Sequence, residues 1–292
     1  MLNRRSTVAS KFEKVKIQNF AGKIQSMSGS YKATGINLKA IPFGESDRLV
    51  TMLTQEYGLI RAIAPGARKS NSSLAGRSAI FVVNSLSILK GRSIDKIIEA
   101  QTLNTYGGLI QDLGKLAAGQ YLAELVLAQA LSDHPQEELY QLLILHIGRL
   151  NDLPQGDCTR SISHLCQGIF HLLVLDGIAP QVDSCCITRG SIEPNFNIPT
   201  WQVGFSIESG STVKLNLDDL SINISHRLSA LELLIFQHLR DTNFDRLDLV
   251  LDIETISDLE LAQVWRRVER ILRQYIHYHL NIQIKSAALI DI

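Results

Sequence analysis

The chain is poor in cysteine, in aromatic residues and in long apolar runs, and each shortage removes a class of protein. Its 292 residues include four cysteines, at positions 158, 166, 185 and 186. That is no framework for a secreted disulfide scaffold, because neighbouring Cys185 and Cys186 would bridge badly; a reducing cytoplasm is the expectation. Cys158 and Cys166 stand eight apart, and neither a second Cys-x-x-Cys nor a His-x-x-x-His follows, so no structural zinc is expected. No apolar run approaches the roughly 18 to 20 residues that span a bilayer, and the first 30 residues lack the apolar core of a secretory signal. The sequence therefore reads as a soluble protein without a membrane segment.

Motifs of catalysis are missing as well. The eight histidines make no zincin motif, no glycine-rich loop ends in Gly-Lys-Ser or Gly-Lys-Thr, and no Gly-x-Ser-x-Gly elbow occurs. Glu45 and Asp47 are paired acids on a turn. They read as a turn device, with a Mg²⁺ site for a nuclease or nucleotidyl enzyme as the alternative. No cofactor is called for.

What the chain does have is a division of charge hidden by a net charge of zero. Residues 1–106 carry 16 Lys and Arg against 6 Asp and Glu, and residues 107–292 carry 13 against 23, so +10 faces −10. Such asymmetry suggests a front that binds a polyanion and an acidic rear, although charges that merely solvate two surfaces would give the same count. Residues 1–30 are basic and aperiodic. They are expected to be disordered and dispensable for folding; their composition loosely mimics a transit peptide, and a true start at Met27 reads equally well.

From Tyr31 to Leu103 short β segments alternate with turns. Tyr31–Ile41 is followed by a turn at Pro42–Asp47, then by alternation through Leu49, Thr51 and Leu53. Leu59–Ala64, Ile80–Lys90 and Ile97–Leu103 follow, set apart by Glu56–Gly58, Pro65–Gly66 and Gly91–Arg92. Five short strands in about 75 residues predict a small closed barrel of the OB type at residues 31–106.

After Gly107–Gly108 the period becomes helical. Leu116–Leu131 is apolar nearly all round and predicts a central buried helix, and helices to Leu150 and over Ile162–Leu175 follow. Ser229 with Glu232, and Ser257 with Glu260, are capping-box pairs that start two more, the last reaching Leu280. Between them, residues 181–217 are broken by Gly190, Pro194, Pro199, Gly204 and Gly210. There Trp201, Val203, Phe205 and Ile207 alternate, which predicts a small β-hairpin excursion. The fold class is α+β: an N-terminal five-stranded OB barrel, then a helical domain at 107–292 carrying a hairpin.

Two clusters carry the binding chemistry. Gly66–Arg77 contains Arg68, Lys69 and Arg77 with no acid, and Lys90 and Arg92 extend the positive surface at the next turn. Such side chains position a phosphate backbone without reading sequence, and OB barrels bind across one face and its flanking loops. A solvated loop fits the same residues. Of the aromatics Tyr31, Phe43, Tyr57 and Phe81, Phe43 in its polar turn is the expected stacking platform, the others reading as barrel core or turn packing. On the last helix Arg266, Arg270 and Arg273 recur at spacings of four and three, opposite an apolar stripe. One outward Arg face suits an acidic peptide or phosphate, while an ordinary solvated face with Glu269 paired to Arg273 is the plain alternative.

Taken in order, Gly35–Ile36 through Gly44–Glu45–Ser46–Asp47, Leu53–Thr54 with Gly58, Gly66–Ala67–Arg68–Lys69, Leu74–Ala75–Gly76, Gly91–Arg92, Tyr121–Leu125, Tyr275, His279–Leu280 and Lys285–Ser286 with Leu289 resemble the RecO family from Tyr31 to the C-terminus. The resemblance implies a non-enzymatic recombination mediator in DNA repair. Such a protein binds single- and double-stranded DNA, anneals complementary strands and works with RecR to help RecA displace the single-strand-binding protein SSB, whose acidic C-terminal tail it docks. Many members carry a four-cysteine zinc module at the place of residues 183–212. Here Cys185 or Cys186, Gly190, Phe205 and Gly210 are its remnants and Ser211 follows where a cysteine pair would begin, so the hairpin is expected to be held without metal. Beside the nuclease reading, an OB-fold RNA binder is the other alternative.

Overall fold

The computed structural model describes residues 29–215, 222–242 and 256–290. The extension expected at 1–30, apart from its last two residues, the alternative start at Met27 and the last two residues of the hairpin region lie outside them.

Five strands close the barrel: β1 (Ser30–Phe43), β2 (Asp47–Thr54), β3 (Gly58–Ala64), β4 (Val82–Leu89) and β5 (Asp95–Thr105). They run in the order β1-β2-β3-β5-β4 and back to β1. All pairings are antiparallel except β3 with β5, where Ala62 meets Asp95 and Ile63 meets Lys96. β1 reaches two partners because its register with β2 shifts between Asn37 and Lys39; such an irregularity bends a strand, and its first half is free to pair with β4. Inward positions are mostly small or branched, Val50, Ile60, Ala62, Leu86 and Ile88 filling the interior with the unbranched Met52. Helix α1 (Leu74–Arg77) plugs one end with Leu74, and Arg48 Nη1 donates to Ala75 O (3.0 Å) and Ser78 Oγ (3.1 Å) beneath it.

The outer face of the barrel is not all wet. Ile36, Leu38, Leu53, Phe81 and Val83 join the core of the helical domain. Gly58 marks the seam: its φ is +64°, and a Cβ there would lie 2.2 Å from Leu131 O. Only glycine tolerates both, and the next amide, Leu59 N–H, donates to Leu131 O at 2.9 Å.

After α2 (Gly107–Ile110) the central helix α3 (Leu113–Gln129) is buried on several sides, at Ala117, Tyr121, Leu122 and Leu125 among others. Helices α4 (Glu137–Asp152) and α5 (Cys158–Leu175) pack on it. Between these two, His146 Nε2 and His171 Nδ1 share a buried hydrogen bond of 3.1 Å. Both capping serines are seen. Ser229 and Glu232 form the full capping box of α6 (Ala230–His238), and Ser257 Oγ accepts from Glu260 N at the start of α7 (Asp258–Leu280). The short α8 (Ala287–Ile290) returns to α3, where Glu124 accepts from the amides of Lys285 (2.6 Å) and Ser286 (3.1 Å).

The region at 181–217 is larger than the expected hairpin. β6 (Gln181–Cys185), β7 (Gln202–Ser206), β8 (Ser211–Val213) and β9 (His226–Ser229) form one four-stranded sheet in the order β6-β8-β7-β9. β7 and β8 are the antiparallel pair, while β6 joins β8 in parallel and β9 pairs with β7 from beyond the region. Phe205 stacks on Phe236 with ring centroids 5.9 Å apart, which fixes the sheet to α6.

Candidate nucleic-acid interface

The basic loop is bound to the turn between β1 and β2. The Arg68 amide donates to Ser46 O (2.9 Å), Arg68 Nη1 to Gly44 O (3.0 Å) and the Gly66 amide to Asp47 Oδ1 (2.8 Å). Asp47 is therefore the turn device expected. The Gly66 amide, and after it the Ser46 hydroxyl, hold its carboxyl below the usual carboxylate range, and the charges of Lys96 and Lys69 add to this. Glu45 is exposed, and among the described residues no group of three or more His, Cys, Asp or Glu could hold a metal ion. The two turns are thus hydrogen-bonded into one edge on which Arg68 and Lys69 are exposed. The Arg68 guanidinium spends one of its five donors on Gly44 and offers the others outward.

The remaining predicted residues fall at different places. Arg77 ends α1, half-buried, with its carbonyl held by the side-chain amides of Asn37 (2.8 Å) and Asn84 (2.9 Å). Arg92 is exposed at the turn from β4 to β5. Lys90 departs from the expectation of a cation held out for phosphate. It lies 3.8 Å from Asp95 and 3.7 Å from Asp133, with its ammonium 5.9 Å from the Tyr31 ring centre. It bridges barrel and helical domain, although its side chain is still 60% exposed.

Phe43 is exposed, as expected, but it closes β1 opposite Asp47 rather than sitting in the turn. Tyr57 packs in the β2–β3 turn edge-on against Tyr31 and is nearly as exposed as Phe43, at 36% against 40%, whereas Phe81 is core. Two cations went unnoticed in the sequence. Arg61 projects from β3, and Lys96 lies near the β3 edge through its pairing with Ile63. The alternation of Ile60, Ala62 and Ala64 with Leu59, Arg61 and Ile63 held that information, since one set had to face in and the other out.

A second basic place lies on the helical domain. Arg266, Arg270 and Arg273 do converge, with Glu269 and Ile290, on a cleft of about 350 Å³, and Arg270 and Arg273 also line a groove of about 940 Å³ beside Tyr278, Ile282 and Lys285. The three do not share one solvated face. Arg273 is largely covered and donates to Glu269 Oε2 at 3.0 Å, and Glu269 itself is buried. Arg266 and Arg270 are the exposed members.

The residues around β6 do not fit a four-cysteine zinc site. Cys185 is buried and accepts from the Lys214 amide (3.4 Å), Cys186 is its chain neighbour, and Ser206 and Ser211 face each other across β7 and β8. Burial opposes ionisation of the Cys185 thiol. Hydrogen bonds from the Thr188 hydroxyl and from the amides of Thr188, Lys214 and Ile187 outweigh it and bring the pKa down to about 7. No helix among the described residues is long and apolar enough to cross a membrane.

A five-stranded OB barrel with Arg68 and Lys69 exposed on one edge, docked on a helical domain, belongs to a class of fold that binds oligonucleotides across one barrel face and its flanking loops. The comparisons make this specific. A family model described as Recombination protein O N terminal matches residues 27–106, and one described as Recombination protein O C terminal matches 110–288. A "DNA repair protein RecO" from a Nostoc species is 50% identical, the match covering 91% of this chain and 96% of that protein. Those of Nostoc punctiforme and Trichodesmium erythraeum are each 48% identical, covering 91% of this chain and 96% and 95% of theirs. The chain belongs to the RecO family of DNA repair proteins.

Proposed function

We propose that this protein is a non-enzymatic recombination mediator that binds single- and double-stranded DNA, anneals complementary strands and, with RecR, helps RecA load on strands coated by SSB. The observation that carries the DNA-binding part is the hydrogen-bonded edge made by Gly44–Asp47 and Gly66–Lys69, on which Arg68 and Lys69 are exposed. A fixed edge loses little entropy when it meets a phosphate backbone, and the released counterions supply the affinity. Arg77 at the end of the short helix α1, and Arg92 and Lys90 at the β4–β5 turn, add charge elsewhere on the barrel, and Phe43 offers a ring at the border of the edge. No step in this activity breaks a covalent bond. The groove beside Arg270, with apolar walls at Tyr278 and Ile282 and positive charge at its rim, suits an acidic peptide with an apolar end such as the SSB tail.

The direct test is fluorescence anisotropy with a labelled single-stranded oligonucleotide, competed by duplex DNA and by RNA of the same sequence. The reading predicts that both DNA forms compete and that affinity falls steeply with salt. Competition by RNA alone would favour an RNA-binding role.

A further inference from the structure

We infer that the cleft where the β2–β3 turn, the β4–β5 turn and the α3–α4 connection meet receives one unstacked base of a single DNA strand, with Tyr57 as its stacking platform and Arg61 on a flanking phosphate; this rests on the DNA-binding reading above. The cleft holds about 420 Å³, inside the range of roughly 300–1,000 Å³ typical of small-ligand sites. It is lined by Tyr31, Tyr57, Arg61, Lys90, Asp95 and Asp133 among others.

Its parts are held in place before any ligand arrives. The Tyr31 hydroxyl donates to Asp95, which also accepts from the Gly91 amide at 3.0 Å and so ties the β4–β5 turn to the floor of the cleft. Tyr57 meets Tyr31 edge-on, with ring centres 4.9 Å apart at 64°, and its amide donates to Thr54 Oγ1 at 3.2 Å. One ring of the pair is thus braced by the other, and Tyr57, 36% exposed, remains open to a base. The two carboxylates do not make the cleft an anion-repelling site. Asp95 accepts from two donors, the Tyr31 hydroxyl and the Gly91 amide, and the Lys90 ammonium lies between it and Asp133. Asp133 stays at the rim, where a carboxylate accepts from the amino edge of a base.

The position within the barrel favours a strand over a loose nucleotide. β3 runs from this cleft to Ala64, where the loop bearing Arg68 and Lys69 begins, a span of about 20 Å at the usual strand rise. A single strand lying along β3 would meet Tyr57 at one end, Arg61 midway and the basic edge at the other. A duplex, whose bases stay stacked, could use only the basic edge.

Tyr57→Ala should weaken binding of a single-stranded oligonucleotide by roughly 5- to 150-fold, the range for loss of one base–aromatic stack, and leave duplex affinity unchanged. Tyr57→Phe, which keeps the ring, should bind like the parent. A measurement on the unmodified chain runs beside these: photocrosslinking of a 5-iodouracil-substituted strand, with the modified peptide mapped by mass spectrometry, should label Tyr57. Crosslinks confined to other residues, or equal loss of duplex and single-strand affinity in Tyr57→Ala with Tyr57→Phe, would overturn the proposal and leave DNA binding standing. Displacement of the strand by micromolar deoxyadenosine monophosphate would make the cleft a nucleotide site and overturn it too. Failure of the parent to bind either form of DNA would instead bring down the reading on which it rests.

Discussion

Replacing Arg68 and Lys69 together by alanine removes two exposed cations from the edge built on the β1–β2 turn. Each phosphate contact contributes about 0.9 to the slope of log affinity against log salt on duplex DNA, so the double variant should have a slope shallower by about 1.8. Between 50 and 200 mM salt one such contact accounts for about a 3.5-fold loss of affinity, so the variant should lose about 12-fold less affinity than the parent over that interval. The cost to folding is small. Lys69 is exposed, and Arg68 gives up one side-chain hydrogen bond to Gly44 O while its amide keeps Ser46 O, a change of about 0.5–1.5 kcal/mol. Anisotropy titrations at four salt concentrations on two unrelated duplexes, with a melting curve of each protein, measure all of this. An unchanged slope with an unchanged melting temperature would show that the edge does not touch phosphate and that the loop is only a solvated connection.

Three further outcomes follow from other parts of the molecule. Elemental analysis of the dialysed protein should find no stoichiometric zinc and EDTA should not lower the melting temperature, because the residues around Cys185 cannot supply four ligands; one zinc per chain would contradict this. Burial, and then Arg149, press the His171 pKa down to about 4 from an unfolded value near 6.5, so the unfolded chain takes up the proton first and stability falls as pH drops through that window. The loss from His171 alone should be about 1.6 kcal/mol between pH 6.5 and 5, read as a falling melting temperature. His171→Asn should make the fall shallower without abolishing it, because burial presses the pKa of its partner His146 down as well; parallel curves for the two proteins would refute the assignment. Arg270→Glu should weaken binding of an acidic SSB-tail peptide, and an unchanged peptide affinity would place that docking site elsewhere.

The barrel was legible because its signals are local. Glycine and proline punctuate each strand, and inward and outward residues alternate, so strand number and order of appearance could be read before any pairing was known. The two capping serines were legible for the same reason, since Ser229 and Ser257 each act on an amide three residues away. β9 was not. His226–Ser229 is four residues long and runs straight into a capping box, and it becomes a strand only by pairing with Gln202–Phe205, far off in sequence. The charged residues show the same limit. Helical spacing puts Arg273 beside Arg270 correctly, but not the burial of Glu269 that draws it inward. Nothing near Lys90 in the chain announces Asp133, which reaches it from another domain. The exposure of Tyr57 was not legible, because the cleft that leaves it open is made by three separated segments.

The central claim is that this chain brings DNA strands together without cutting them. Complementary labelled oligonucleotides, each coated with SSB, should anneal when the protein is added in EDTA, at a rate that Mg²⁺ does not need to support, and the recovered strands should keep their full length on a denaturing gel. Dependence of the product on Mg²⁺ with shortened strands would contradict the account and return Glu45 and Asp47 to the role of metal ligands.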